Sequence, residues 1–199
     1  MSKNLKSFDA GPVVYQLKVS LLDSPVPIWR RFQVESATTL QRLHHLLQTV
    51  MGWTDDHLHG FRLPQSGRTG SRRRYLPVED EDERTTRLAD VLRRPKDSFL
   101  YEYNFGDGWQ HEIILEEVLV PSSTVRYPMV VDGRGACPPE DVGGVSGYDH
   151  FLEVINDPQH PEHEEMNDWC EPGFDPSVFD VKAVNRAFHG RRGARRPDA

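Results

Sequence analysis

Apolar and polar residues alternate along two stretches near the start of the chain. VVYQLKVSLL (Val13 to Leu22) and IWRRFQV (Ile28 to Val34) carry β-branched and aromatic residues at alternating positions, as strands with one buried face do. The segment DSPVP between them is rich in turn-forming residues. The two stretches therefore predict a β-hairpin.

The next apolar residues follow the period of a helix. They are Leu40, Leu43, Leu46, Leu47 and Val50. This spacing places them on one face, so the helix is expected to bury that face. Ser36 or Thr38 is predicted to cap its start, and Gly52 is predicted to end it.

Three more strands are predicted further along. HLHGFRL (His57 to Leu63) is a short one, and DSFLYEYNF and WQHEIILEEVLV lie on either side of Gly106-Asp107-Gly108. Asp-Gly between two alternating runs is a strong hairpin signal. Residues 64–87 contain a basic run followed by the acidic run EDEDE, and this composition predicts a flexible charged loop. TRLADVL (Thr86 to Leu92) then predicts one or two helical turns.

After Pro121 the chain becomes rich in proline and glycine and then predicts short helices. These are HFLEVINDP, the segment 161–170, and FDPSVFDVKAVNRAF, in which Asp175 is expected to be the N-cap. The order hairpin, helix, strand, short helix, strand is that of a β-grasp domain. We therefore predict an α+β fold with a β-grasp-like mixed sheet wrapped around one helix, extended by the Gly-Asp-Gly hairpin and covered by C-terminal helices.

The composition indicates one domain in the cytoplasm. Of the 199 residues, 37% are hydrophobic and 28% are charged, which is enough apolar material for one sizeable core. We predict a single domain over residues 12–188 and a disordered arginine-rich tail over 189–199. The first residues contain no apolar signal segment, and no run approaches the roughly 18 apolar residues of a membrane span. A cytoplasmic protein without membrane contact is therefore expected.

The net charge of −7 is unevenly distributed along the chain. Twelve acids against Arg134 give residues 132–175 a charge of −11, which leaves +4 for the rest. Because the acidic segment repels phosphate groups, nucleic acid is not the expected partner. Arg72, Arg73, Arg74 and the terminal arginines keep nucleic-acid binding as the third of three candidate functions.

The stretch YEYNFGDGWQHEI (Tyr101 to Ile113) leaves two interpretations open. Aromatic residues paired across a hairpin explain most of its composition without any chemistry. In that interpretation His111 is a core residue bonded to a backbone carbonyl. In the other interpretation His111 is a ligand in a site.

Histidines and carboxylates supply a candidate metal site. Its predicted ligands are His57, His59, Asp107 and His111. The two histidines of HLH, His57 and His59, are separated by one residue, so in a strand both imidazoles project to the same side. If this strand neighbours the hairpin, the four residues converge with Glu140 or Asp141. Such a set suits a divalent metal such as zinc or manganese.

Several motifs in one order resemble a known family. They are PVPIWRRF, TTLQRLHHLLQTVMGW, DDHLHGF, FLYEYNFGDGWQHEI, YP followed by GRGACPPEDVGGVSGY, and FDPSVFD with VNRAF. From about Val14 to Phe188 the chain is similar to the plasmid pRiA4b ORF-3-like family, whose members are also labelled transposon-passenger TnpR proteins. The resemblance implies a compact α+β fold of unassigned activity. Asn104 and Val142 replace an aspartate and a cysteine of the family pattern, so neither position is an indispensable ligand.

The first candidate function is a plasmid- or transposon-associated accessory or binding module. It would recognise a protein or a small ligand in a groove between the Gly-Asp-Gly hairpin and the CPPEDVGG loop. Trp109 and Tyr148 would supply apolar contacts there, while Arg30, Glu140 and Asp141 would fix the orientation of the ligand.

The second candidate function is a metal-dependent hydrolase. His57, His59 and His111 would bind the ion, and Asp107 would orient one of the imidazoles. Glu140 would act as general base on a metal-bound water, with the neighbouring Asp141 as a second catalytic carboxylate.

Overall fold

Seven strands form one sheet on which the helices pack. The computed structural model describes residues 13–64, 75–170 and 173–190. The strands are β1 (Val14–Leu21), β2 (Trp29–Glu35), β3 (His59–Pro64), β4 (Tyr75–Pro77), β5 (Ser98–Tyr103), β6 (Trp109–Leu119) and β7 (Met129–Arg134). Their order across the sheet is β4-β3-β5-β6-β1-β2-β7. All six neighbouring pairs are antiparallel.

The described part of the chain also contains six helices. They are α1 (Leu40–Met51), α2 (Asp80–Glu83), α3 (Leu88–Val91), α4 (Gly144–Asn156), α5 (His163–Trp169) and α6 (Val181–Gly190). The apolar stripe of α1 joins the buried strand residues in one hydrophobic core. None of these helices is long and apolar enough to span a membrane.

One face of the sheet is buried, and the other is polar. In β1, the buried residues Tyr15, Leu17 and Val19 alternate with partly exposed ones, as expected for a strand with one face in the core. On the opposite face, Arg31 and Glu116 form an ion pair with an Nε–Oε2 distance of 2.6 Å.

The predicted C-terminal end of α1 is confirmed, whereas its predicted N-cap is wrong. Gly52 ends the helix as predicted, in the left-handed conformation with φ of 96°. The N-cap is Thr39, whose hydroxyl accepts a hydrogen bond from the Arg42 amide. The prediction of Ser36 or Thr38 is wrong because Thr38 is held in a tertiary contact, in which its carbonyl accepts from the Leu88 amide.

The α+β class is confirmed, but the sheet differs from the predicted mixed one. It is antiparallel throughout, and it contains β7, which lies in a segment that the sequence predicts as loop. Residues 75–77 and 80–83 of the predicted charged loop form β4 and α2. Residues 65–74 and 191–199, which include Arg72 to Arg74 and most of the predicted tail, lie outside the described ranges.

The C-terminal helices begin at other residues than the sequence predicts. α4 begins at Gly144, after the tight turn of Gly143, rather than near His150. Asp175 is not the N-cap of α6, because it caps the local turn at Ser177 instead. Asp180 takes that role, since its Oδ1 accepts hydrogen bonds from the amides of Lys182 and Ala183.

Candidate functional site

The Gly-Asp-Gly hairpin places its aromatic residues in the core. Tyr101 is paired with His111, and Tyr103 with Trp109, across β5 and β6. All four side chains are completely buried, whereas Phe105 in the turn is 54% exposed. Cross-strand packing of the aromatic rings therefore accounts for most of this stretch.

His111 is held as a neutral core residue in this structure. Its Nδ1 donates a hydrogen bond to the carbonyl oxygen of Tyr101 at 3.3 Å, and its ring meets Trp53 edge-on at 5.2 Å between centroids. Burial lowers the pKa of His111 to about 4. Its Nε2 has no hydrogen-bond partner within the described ranges, and among the described residues His111 belongs to no group of three potential metal ligands.

Three of the predicted site residues do lie together at one end of the sheet. His57 Nε2 is 3.0 Å from Asp141 Oδ1 and 3.7 Å from Glu140 Oε2. Glu140 Oε1 accepts hydrogen bonds from the Tyr103 hydroxyl at 3.2 Å and from the Thr54 amide at 3.0 Å. Glu140 is thus fixed by several donors, and His57 faces both carboxylates.

The predicted ligand-binding residues Arg30, Trp109 and Tyr148 are buried. Arg30 is 1% exposed and the other two are completely enclosed. The Arg30 guanidinium donates hydrogen bonds to the carbonyl oxygens of Val50 and Arg134, and burial lowers its pKa to about 10. These three side chains therefore act in packing rather than at a surface.

A groove does exist between the Gly-Asp-Gly turn and the start of α4. It measures about 550 Å³, and Asp107, Gly144 and Ser146 are among its lining residues. A Cβ atom on Gly144 would lie 2.4 Å from the carbonyl oxygen of Asp107. The close contact of turn and helix thus depends on glycine at this position.

His59 lies in a second group of histidines, on the α1 side of the sheet. Its ring stacks on that of His44, with centroids 3.5 Å apart and planes 5° apart. Its Nε2 is 3.1 Å from Oε2 of Glu83, a carboxylate that is 3% exposed. The structure therefore separates His59 from His57, although the two are close in sequence.

His44, His45 and Asp55 form a cluster that the sequence did not predict, which we name the His-Asp cluster. His44 Nε2 is 2.7 Å from Asp55 Oδ1, and His45 Nδ1 is 3.5 Å from Asp55 Oδ2. One potential ligand atom from each residue lies within 4.8 Å of the other two. Gly52 reverses the chain after α1, and Asp55 itself adopts a positive φ of 69°.

A chain of hydrogen bonds fixes His44 from the core side. Gln48 Nε2 donates to the Tyr101 hydroxyl at 3.0 Å, and that hydroxyl is 2.8 Å from His44 Nδ1. Because the hydroxyl accepts from Gln48, its own hydrogen is directed to Nδ1, and His44 carries its proton on Nε2, facing Asp55. Burial, with the neighbouring His59, lowers the pKa of His44 to about 4, so its imidazole is neutral at pH 7.

The outer side of the His-Asp cluster opens into a cleft between α1 and α6. This cleft measures about 700 Å³, and His45 and Asp55 line it together with Arg42, Trp53 and Phe188. The His45 side chain is 62% exposed and that of Asp55 is 38% exposed, whereas that of His44 is 3% exposed. The cluster thus has one side in the core and one side open to a cleft.

The two buried histidines predict acid sensitivity. Both have a folded-state pKa near 4, below the usual 6.5, so the folded state resists a protonation that the unfolded state accepts. Each histidine is expected to contribute of the order of 3 kcal/mol to the free energy of unfolding above pH 6.5. This contribution is lost progressively as the pH falls toward 4. Urea unfolding with chelator at pH 7, 5.5 and 4.5 measures this loss.

The matched variants for this pH series are His44→Gln and His45→Gln. His44→Gln is expected to reduce the loss of unfolding free energy at low pH, because it removes one of the two buried histidines. His45→Gln, at an exposed position, is expected to leave that loss unchanged. Unfolding free energies that are equal at pH 7 and pH 4.5 in the unsubstituted protein contradict the prediction.

The protein is therefore an α+β protein with a seven-stranded antiparallel sheet and with histidines clustered beside α1. The chain belongs to the plasmid pRiA4b ORF-3-like protein family, whose model matches residues 13–183. This confirms the resemblance seen in the motifs.

Two relatives show how far the likeness extends. The chain is 37% identical to the uncharacterized protein y4hQ of Sinorhizobium fredii (strain NBRC 101917 / NGR234), over 87% of this chain and 90% of that protein. It is 38% identical to MM3350 of Methanosarcina mazei Go1, a protein of unknown function, whose crystal structure matches with a TM-score of 0.77. That match covers 87% of this chain and 98% of MM3350.

Proposed function

We propose that this protein binds a divalent metal ion, zinc or manganese, at the His-Asp cluster. The observation that carries the proposal is that one potential ligand atom from each of His44, His45 and Asp55 lies within 4.8 Å of the other two. Two imidazoles and one carboxylate are a common ligand set for zinc and for redox-active transition metals.

The protonation state of His44 supports this proposal. A metal ligand has to be a neutral imidazole, and the lowered pKa of His44 keeps it neutral over the whole physiological range. Binding at Nε2 moves the imidazole proton to Nδ1, which then donates to the Tyr101 hydroxyl. Such a second partner on the far nitrogen is characteristic of metal-binding histidines.

Gln48 provides the hydrogen-bond acceptor that the Tyr101 hydroxyl requires after this proton shift. Once Nδ1 donates to Tyr101, the hydroxyl hydrogen needs a new acceptor. Gln48 Oε1 is buried and has no partner in the part of the chain that the structure describes. A rotation of this amide presents its oxygen to the hydroxyl, so the same three groups serve both the metal-free and the metal-bound state.

The open side of the cluster favours a binding or catalytic role for the ion over a structural one. Structural zinc sites are closed by four protein ligands, whereas catalytic sites keep a position for water or substrate. His45 and Asp55 face the cleft, so the remaining positions of the ion are accessible from it. A metal-dependent hydrolase is therefore the second candidate function.

The group of His57, Glu140 and Asp141 is the competing metal position. It contains one imidazole, and Glu140 Oε1 is already used by Tyr103 and Thr54. The His-Asp cluster offers two imidazoles and a carboxylate, and imidazole is the ligand type that suits zinc and other transition metals. We therefore place the ion at His44, His45 and Asp55.

Calorimetric titration of metal-free protein tests the proposal. Protein stripped with chelator and dialysed is titrated with zinc chloride and, separately, with manganese chloride. One equivalent of at least one ion is expected to bind. The absence of saturable binding of either ion contradicts the proposed function.

Tyr101→Phe is expected to weaken zinc binding without removing it. The variant deletes the hydroxyl that holds His44 Nδ1, and the loss of such a partner lowers metal affinity by about 10- to 100-fold. Tyr103→Phe is the matched control, because its hydroxyl bonds Glu140 instead. Equal zinc affinities for the two variants in the same titration contradict the role of Tyr101.

A further inference from the structure

Arg42 places a positive charge beside the His-Asp cluster, and this charge takes no part in metal binding. It lies one helical turn before His45 on α1, and both residues line the cleft between α1 and α6. Among the described residues, no carboxylate forms an ion pair with its guanidinium. The guanidinium is thus available to a group that enters the cleft from solution.

The charge balance of the cleft depends on the metal ion. Arg42 and Asp55 are the lining residues that carry formal charges when the histidine is neutral, and in the metal-free protein the two cancel. A divalent ion on the cluster changes the sum for the lining to +2. In a recess partly shielded from water such a charge attracts anions.

Polar and apolar side chains share the lining of the cleft about equally. Leu46 and Trp53 lie on the α1 side, and Ala187 and Phe188 of α6 lie opposite. Small-molecule sites combine apolar surface with polar groups that fix the orientation of the ligand. A ligand that fits here therefore carries a negative group at one end and an apolar body at the other.

We infer that the cleft binds a small organic oxyanion, whose oxygens contact the metal ion and Arg42 while its apolar body packs between Trp53 and Phe188. The inference rests on the proposed metal site. Carboxylates and phosphate monoesters share the required chemistry, since either group pairs with a guanidinium in a bidentate manner. A probe of each kind separates the two sources.

The experiment is calorimetric titration of the zinc-loaded protein with three probes that share one ring. Benzoate and phenyl phosphate carry the two oxyanions, and benzyl alcohol is the uncharged control. At least one oxyanion is expected to bind at least about tenfold more tightly than benzyl alcohol. The tighter of the two identifies the class of ligand.

Arg42→Gln tests the role of the guanidinium. It is expected to weaken binding of the preferred oxyanion by about tenfold or more, because a charge-assisted pair is lost. Arg93→Gln, a substitution of an exposed arginine outside the cleft, is expected to leave that affinity unchanged. Zinc affinity should not fall in either variant.

The possible failures are distinguishable. Zinc uptake without oxyanion binding, equal affinities for the oxyanions and benzyl alcohol, or an unchanged affinity in Arg42→Gln overturns this inference and leaves the proposed metal site standing. Uptake of neither zinc nor manganese overturns both.

Discussion

Asp55→Asn is expected to abolish stoichiometric metal binding while the protein stays folded. Asparagine has the size of aspartate and tolerates the positive φ of 69° at this position, but it removes the anionic ligand. Since loss of an outer partner already costs about 10- to 100-fold in metal affinity, loss of a direct ligand should cost more. Plasma mass spectrometry of protein purified without chelator measures the metal content.

Asp141→Asn is the control for this variant. Asp141 also has a positive φ, of 58°, and also faces a histidine, at 3.0 Å from His57 Nε2. The two substitutions therefore make the same chemical change in similar backbone conformations at the two competing positions. Metal retained in Asp55→Asn but lost in Asp141→Asn places the ion at His57 and contradicts the His-Asp cluster.

Gly144→Ala is expected to destabilise the protein by about 2–5 kcal/mol. A residue with a Cβ atom in the left-handed region costs roughly 1–2 kcal/mol, and here φ is 69°. The new methyl would also lie 2.4 Å from the Asp107 carbonyl oxygen, an overpacking that adds about 1–3 kcal/mol. Unfolding in urea measures the loss.

Gly108→Ala separates these two causes. Gly108 has nearly the same φ, of 68°, but a Cβ there meets no atom within 4 Å. Only the conformational cost of about 1–2 kcal/mol is therefore expected. Equal losses in the two variants contradict the close contact of the Gly-Asp-Gly turn with α4.

The local elements could be predicted because their signals lie within one segment. Alternation gave β1, β2, β5 and β6, and the Gly-Asp-Gly turn gave the hairpin between the last two. β7 was missed because Met129–Arg134 is short, follows a proline-containing loop and owes its conformation to pairing with β2. Such an edge strand is determined by its neighbour rather than by its own pattern.

The site could be predicted only where two motifs meet at a sheet end. The sequence predicts that His57, His59, Asp107 and His111 converge with Glu140 or Asp141. Of these histidines, His57 lies beside both carboxylates, whereas His111 is enclosed in the core. His59 was placed with His57 because a strand period puts both on one side, but its ring stacks instead on His44 of α1. His44 and His45 are adjacent in a helix, a spacing that does not by itself make two residues face each other.

The one sequence signal for the His-Asp cluster was the glycine after α1. Gly52 ends the helix in the left-handed conformation, and Asp55, three residues later, lies 2.7 Å from His44 Nε2. Tyr101, which fixes His44, comes from a strand far along the chain and reaches it only through the tertiary fold. Sequence patterns hold no information on that contact.

Anomalous diffraction from zinc-soaked crystals, recorded on both sides of the zinc absorption edge, tests the metal site most directly. One strong peak is expected about 2.0–2.2 Å from His44 Nε2, His45 Nδ1 and an Asp55 oxygen. A peak between His57 and Asp141 instead, or no peak at the His-Asp cluster in crystals soaked with excess zinc, would contradict it.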